Sequence, residues 1–528
     1  MILQIEQSQH YITFLVYTGV IVAGICLFGT AMYRNRWSCC VIGIIAALLL
    51  LSALYEIVYG IMQIYNVTYV RHRIYPLTGT FFNPGPYAGW LAAILPLCVY
   101  YTFYFQKKKA INKLYGGGYI IVSCTTLLII CLLPATMSRT AWCAAIISSI
   151  FVLLCEENIR KRCTTYLLLL KHKKWLSFLL IIILLALLIG AYIIKKDSAD
   201  GRFFIWKISS IAIIENPWGY GVGTFPEIYG ETQENYFALG DYTSREEWVA
   251  GCPEYAFNEY LRFAVEYGMG VLSIVVLVVT YCLYEGFRYR RIGFCGALIS
   301  VLVFSFGSYP FSLLEFWLLL FLLIMALLYN TSLCGKILLI FVIVLGSVGF
   351  INFHKHIMPI LSAKEQWRQA SYFYRVEDYH EVVDAYADLK PFLHKDYRFM
   401  FEYGYALHKI GQYEESSQIL REAMKYSCDP MILNIIGKNC QAMGNYEEAE
   451  YWYFRSVHRL PNRHYPYYLL AKLYAEPAYY QYDNMVKMAT VVMEKKPKVH
   501  SKAIEEMRTE LSNMLDSPRN GKSSDFLQ

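Results

Sequence analysis

Charge is scarce in this chain. Of its 528 residues 17% are charged and 56% are hydrophobic, whereas a soluble protein carries roughly 25% charged residues. That shortage excludes a single large soluble globule. The net charge of +7 is not a nucleic-acid signal, because the basic residues cluster beside apolar runs. MILQIEQSQH has no Lys or Arg and no small-residue cleavage site follows, so no cleavable signal peptide is expected. The 15 cysteines form no CxxC pair and no metal-ligand spacing, and Cys124, Cys131 and Cys143 sit inside apolar runs; no metal site is expected. Cys428 and Cys440 would bridge only in an oxidising compartment, and free buried thiols are the favoured reading.

Long apolar runs are abundant. They fall near residues 11–33, 38–64, 87–105, 118–137, 140–155, 175–194, 259–284, 292–309, 312–330 and 336–353, most of them close to the ~20 residues that span a bilayer. The expected fold is all-α: a polytopic helical membrane domain of about ten transmembrane helices over residues 1–355, then a soluble helical region. Basic loops follow alternate spans, with Arg34 and Arg36, Lys107 to Lys109, Arg160 to Lys174, Arg288 to Arg291, and Lys336. Positive charge marks the cytoplasmic side; Arg71 and Arg73 dissent weakly. The intervening loops, including the loop 196–258, and the C-terminal third are then expected outside the cytoplasm. Segment 215–254 is acidic, either a solvated loop or the rim of a site.

The C-terminal third repeats itself at about 33–34 residues, the tetratricopeptide period. GQYEESS (411–417) and GNYEEAE (444–450) are successive copies, preceded by Gly404 and Gly437, with EDYHEVV (377–383) an earlier degenerate copy. Three to four units over residues 362–515 are expected to form an α-solenoid, either a surface for a protein partner or extended ligand or a packing platform. The tail 516–528 is expected to be disordered.

Several stretches carry polar or irregular features beside the spans. TGTFFNPGPYAGWLA (78–92) puts Asn83 and Tyr87 at a turned backbone; irregular backbone at membrane depth is tolerated where protein or a wet cavity covers it. The bland alternative is a tight turn capping the helix from Pro86. SRTAW (138–142) holds Arg139, an anion ligand or a snorkelling side chain. GRFFIWKISSIAII (201–214) reads as an interfacial helix with Arg202 at its start. ENPWGYGVGTF (215–225) alternates Gly219, Gly221 and Gly223, a pattern that forms anion-binding nests, although no Gly-Lys-Ser/Thr follows as in a phosphate loop. FNEYLRFAVEYG (257–268) places Asn258, Glu259 and Arg262 within about one turn, and Glu259, Arg262 and Glu266 at spacings that share a helix face. Its bland alternative is a structural salt bridge.

In this order the motifs resemble the O-antigen ligase superfamily over about residues 40–350. That superfamily includes ligases, some polysaccharide polymerases and bacterial protein O-oligosaccharyltransferases. Members with C-terminal tetratricopeptide repeats form a subgroup common in Bacteroides-like bacteria. The resemblance implies a bacterial inner-membrane enzyme that transfers a glycan from a polyprenyl-diphosphate carrier to an acceptor glycan, lipid or protein outside the cytoplasm. No cofactor or metal is implied. Arg139 and Arg202 match the motif arginines and are implied as diphosphate ligands. Asn83, Tyr87, Arg262, Gly221 and Gly223 are candidate substrate contacts. Many relatives carry His before the motif Asn; here that position is Phe257, so either Glu259 or Glu254 serves as base, or Asn258 merely orients the acceptor and a good leaving group needs little base help. The alternatives are a membrane-anchored repeat scaffold without catalysis and a transporter. Against the transporter, the membrane halves show no internal repeat.

Overall fold

Apolar runs of helical length give helices through the described residues. The computed structural model describes residues 37–70, 72, 74–110, 113–156 and 196–521, and no strand occurs among them. The expected spans 11–33 and 175–194, and the basic residues Arg34, Arg36, Arg71, Arg73 and those of 160–174, lie outside the described residues. Two compact units are formed. One contains the described residues to 156 together with 257–260 and 270–358; the other contains 196–256, 261–269 and 359–521.

The first unit is built from α1 (Trp37–Ile64), α2 (Pro84–Lys108), α3 (Lys113–Ala135), α4 (Arg139–Cys155), most of α8 (Glu259–Arg288), α9 (Ile292–Ser305), α10 (Leu314–Leu328) and the first part of α11 (Leu333–Arg375). Among the described residues, α1, α2, α3 and α8 are long and apolar enough to cross a membrane; α4, α9, α10 and residues 333–347 are shorter apolar helices where further spans were expected. Glycines let α2, α4 and α9 approach closely, as small residues do between membrane helices. A Cβ on Gly89 would meet the Phe304 ring at 2.3 Å, and one on Gly296 would meet Val152 at 2.5 Å. Ser300 Oγ donates to the Ala92 carbonyl at 2.8 Å across the same seam.

These contacts set the direction of each helix. Lys107, at the end of α2, pairs with Glu156, at the end of α4. Gly293 abuts Tyr100, Gly286 abuts Leu327 and Cys295, and Arg291 donates to the Ala326 carbonyl at 2.8 Å. The basic termini of α2, α8 and α9 therefore share one end of this unit. The starts of α2, α4, α8 and α10 and the end of α9 share the other.

The second unit holds α5 (Lys196–Glu215), α6 (Phe225–Ala238), α7 (Ser244–Val249) and the helical repeat. The repeat starts in the last part of α11 and continues through α12 (Tyr379–Leu393), α13 (Tyr397–Lys409), α14 (Tyr413–Met424), α15 (Pro430–Ala442), α16 (Tyr446–Arg459), α17 (Tyr465–Ala475), α18 (Tyr482–Glu494) and α19 (Lys502–Gly521). One packing solution recurs in it. A Cβ on Gly404 would lie 2.6 Å from Leu420 of the paired helix, and one on Gly437 would lie 2.5 Å from Tyr453, at equivalent positions. α19 continues to Gly521, into the stretch expected to be disordered. Segment 196–256, counted with the membrane domain on sequence grounds, packs with the repeat: Phe225, Tyr229 and Phe237 share a buried cluster with Cys428 and Leu460.

Candidate functional site

The NPGP segment opens α2, which starts at Pro84 rather than Pro86. Asn83 is its cap, its Oδ1 accepting from the Gly85 amide at 3.0 Å. The irregular backbone before it is held by two buried polar residues of α1. Gln63 Oε1 accepts from the amides of Thr78 (3.0 Å) and Gly79 (2.8 Å), and its Nε2 donates to the Gly79 carbonyl at 2.9 Å. Glu56 accepts from the Thr80 amide at 3.0 Å and from its hydroxyl. Both Glu56 and Gln63 are fully buried. Gly79 has φ 56°, and a Cβ there would strike the Tyr87 ring at 2.2 Å. Tyr87 is fully buried, its hydroxyl donating to the Glu56 carbonyl at 3.2 Å. This corrects its reading as a substrate contact: it is a packing residue that wedges the loop against α1. Sequence reasoning missed Glu56 and Gln63, because two polar residues inside an apolar run look like ordinary interruptions of a span.

The same end of the unit collects the start of α8. Phe257, in the left-handed region at φ 49°, packs its ring edge-on against Tyr309 with centroids 5.5 Å apart, and Tyr309 stacks on Phe82 at 6.4 Å. Three segments distant in sequence thus meet through one aromatic row. Asn258 Oδ1 accepts from the Tyr260 amide at 3.0 Å, helping to start the helix. Glu259 is buried, and its Oε1 accepts from the Phe311 amide at 2.9 Å. Tyr309 and Phe311, in the stretch SYPFS, carried no sequence signal beyond their proline. Arg139 is half-buried at the first residue of α4. The corner before it is pinned by Trp142, whose Nε1 donates to the Leu133 carbonyl at 2.7 Å.

Arg202 belongs to the second unit. It sits in the second turn of α5, which starts at Lys196, so it does not open the helix as expected. Phe204, Ile208 and Ala212 form the buried stripe of α5. Helical spacing puts Arg202 with Trp206 on a different face.

The glycine turn also differs from expectation. The amide of Gly219 donates to the Asn216 carbonyl, that of Tyr220 to Val265 and that of Gly221 to Glu266. The amides of Gly223 and Phe225 act on the Glu266 carboxylate. An anion nest needs amides aimed at a ligand; here they are occupied by carbonyls and faced by a carboxylate. The roles of Gly221 and Gly223 as substrate contacts are therefore corrected. The turn exists to press residues 217–221 onto the break in α8 at Gly268, which has φ 82° and ψ 165°. Arg262 faces Glu266 along this part of α8.

Three acids of segment 215–254 are engaged by the repeat, while Glu215, Glu231 and Asp241 are exposed. Glu234 pairs with Arg455 and Arg459, Glu247 with Lys495 and Glu254 with Arg398. Gln233 Nε2 donates to the Arg459 carbonyl, and Asn462 Nδ2 to that of Glu247. The Glu254 carboxylate is thereby committed to the repeat, which removes it as a candidate base. No group of three or more metal-ligating side chains occurs among the described residues.

Against known proteins, residues 124–276 match the family model described as O-antigen ligase (Wzy_C). The matched stretch contains Arg139, Arg202, the glycine turn and the FNEYLR motif. No curated protein matches the chain.

Proposed function

We propose that this chain, whose residues 124–276 match the O-antigen ligase family model, is a membrane protein that moves a glycan from a polyprenyl-diphosphate carrier to an acceptor outside the cytoplasm. One observation carries the reading beyond the family match. The NPGP loop, the Arg139 start of α4 and the buried Asn258–Glu259 pair occupy one end of the membrane unit, opposite the basic termini that the positive-inside rule assigns to the cytoplasm.

In the proposed reaction an acceptor hydroxyl attacks the anomeric carbon. The bond from that carbon to the diphosphate oxygen breaks, and the lipid diphosphate leaves with the electron pair. Negative charge grows on the leaving oxygen, so cations aimed there lower the barrier. The family resemblance implies this role for Arg139 and Arg202, each in its own motif; guanidinium suits phosphate because it donates in a bidentate fork. The hydroxyl proton passes to Glu259, whose carboxylate is already held by the Phe311 amide. Asn258 sets the start of α8 and so the direction of Glu259. No metal is invoked.

Purified protein supplied with a lipid-linked glycan and acceptor tests this. Arg139→Ala and Arg202→Ala should each lower transfer by about 10²–10³ at unchanged protein yield, and chelation should leave transfer intact. Full activity in both arginine variants removes the mechanism. Absence of any transfer by the wild-type protein, with its surface-glycan phenotype intact, points to the scaffold.

A further inference from the structure

Two cysteines 176 residues apart meet inside the second unit. Cys252 follows α7, and Cys428 lies in the turn between α14 and α15. Cys252 Sγ donates to the Cys428 carbonyl, and Cys428 Sγ donates to the Pro253 carbonyl at 3.9 Å. Cys428 is buried in the cluster that joins α5 and α6 to the repeat, and Cys252 packs against that cluster. Gly230 of α6 closes another side: a Cβ there would lie 2.7 Å from the Cys428 Cβ. The chain around Cys252 is anchored on both flanks. Lys498 Nζ donates to the Ala250 carbonyl at 2.9 Å, and Glu254 pairs with Arg398. A disulfide needs its two backbones already close, because bridging distant cysteines requires them to move; here they are close and held. The pair weighed on sequence grounds does not share this geometry, since Cys440 is buried in the core of the repeat.

We propose that Cys252 and Cys428 form a disulfide that ties the segment 196–256 to the helical repeat. The proposal rests on the extracytoplasmic placement argued above, because structural disulfides persist in oxidising compartments. Both thiols give up their protons, the sulfurs join, and two electrons pass to the disulfide of a thiol oxidase, which leaves as a dithiol. The bond closes a long loop, the case in which a cross-link restricts the unfolded chain most in the chain-entropy account.

The test uses the full chain. Protein is acid-quenched in cells, alkylated, purified without reductant, digested and analysed by mass spectrometry. A linked peptide joining residues 252 and 428, two hydrogens lighter than the sum of its parts, is expected. It should be lost after reduction and in C252S and C428S. Reduced, folded protein in detergent should form the same link with oxidised glutathione, while Cys440 remains open to alkylation after unfolding. No link under oxidised glutathione overturns the geometry. A link formed in detergent but absent from cells overturns the native bond and the extracytoplasmic placement with it. Transfer activity of the purified protein is read separately, so failure of the disulfide and failure of the glycan-transfer reading are distinct results.

Discussion

Glu234 of α6 holds Arg459, 225 residues further along the chain, through a 2.6 Å hydrogen bond from Nη2 to Oε2. Only 1% of the Arg459 side chain is exposed. Arg455 adds a 2.6 Å contact to the other carboxylate oxygen. One carboxylate thus answers two guanidinium groups, one of them out of reach of solvent.

Removing one partner of a buried pair leaves an uncompensated charge, at a cost of about 3–5 kcal/mol. Glu234→Gln is therefore expected to lower the thermal stability of the purified protein markedly. Arg455→Gln, at a more exposed position, should cost about 1 kcal/mol, since partly exposed pairs contribute little. Indistinguishable melting curves for wild type and Glu234→Gln would show that the pair does not secure α6.

The turn at 217–221 and the break in α8 admit no side chain between them. A Cβ on Gly268 would lie 2.4 Å from the Trp218 carbonyl oxygen, and one on Gly219 would lie 2.5 Å from the Gly268 nitrogen. Gly268→Ala is expected to lose folded yield, because strained backbone costs about 1–3 kcal/mol and the collision is with main chain. Gly223→Ala is the control. Gly223 also has positive φ but open space around it, so only the left-handed penalty of about 1–2 kcal/mol applies. Monodisperse yield after detergent extraction reads the difference; equal yields would mean that the close approach is dispensable.

The attachment of α7 to α5 should depend on pH. Burial acts to raise the Glu246 carboxyl, but hydrogen bonds from Lys207 and Thr243 outweigh it and hold the group down at about 2, against an ordinary value of 4.5. A carboxyl lowered in the folded state stabilises fully above its unfolded value. This contribution should vanish as pH falls from about 4.5 to about 2. Hydrogen exchange at the Ala250 amide, which donates to the Glu246 carbonyl at 2.9 Å, should accelerate through that window. A Glu246→Gln variant should show no corresponding step; the same step in that variant would assign the transition to another group.

Glu402 has the opposite sign. Burial raises its carboxyl despite hydrogen bonds from Trp367 (2.9 Å) and Tyr386 (2.8 Å). A raised carboxyl favours the folded state when protonated, fully below the unfolded value, and that advantage is lost as pH rises through the folded one. Glu402→Gln keeps an acceptor without the charge, so its melting temperature at neutral pH should match or exceed wild type. Glu402→Ala leaves the Tyr386 hydroxyl without its acceptor, while Trp367 keeps its 3.0 Å bond to that hydroxyl, and should cost about 1–3 kcal/mol. A large loss in Glu402→Gln would show that the ionised form is required.

Helical class, the apolar runs and the repeat were legible because each is written in local spacing. Gly404 and Gly437 announce close helix pairing, and the structure places Leu420 and Tyr453 against them. The NPGP segment was legible as a helix-capping turn, the plain alternative to a ligand site, since proline favours the first turn of a helix whatever surrounds it.

Other assignments depended on partners no local pattern reveals. Tyr87 looked like a ligand contact until Glu56 and Gly79 enclosed it. The glycine turn looked like an anion nest until Val265 and Glu266 took its amides. Glu234, Glu247 and Glu254 looked like part of a surface or rim until Arg398, Arg455, Arg459 and Lys495 answered them. Periodicity reports which face of an element is apolar. It does not report which distant residue will lie opposite a given charge, amide or thiol, because that is decided only when separate helices pack and water leaves between them.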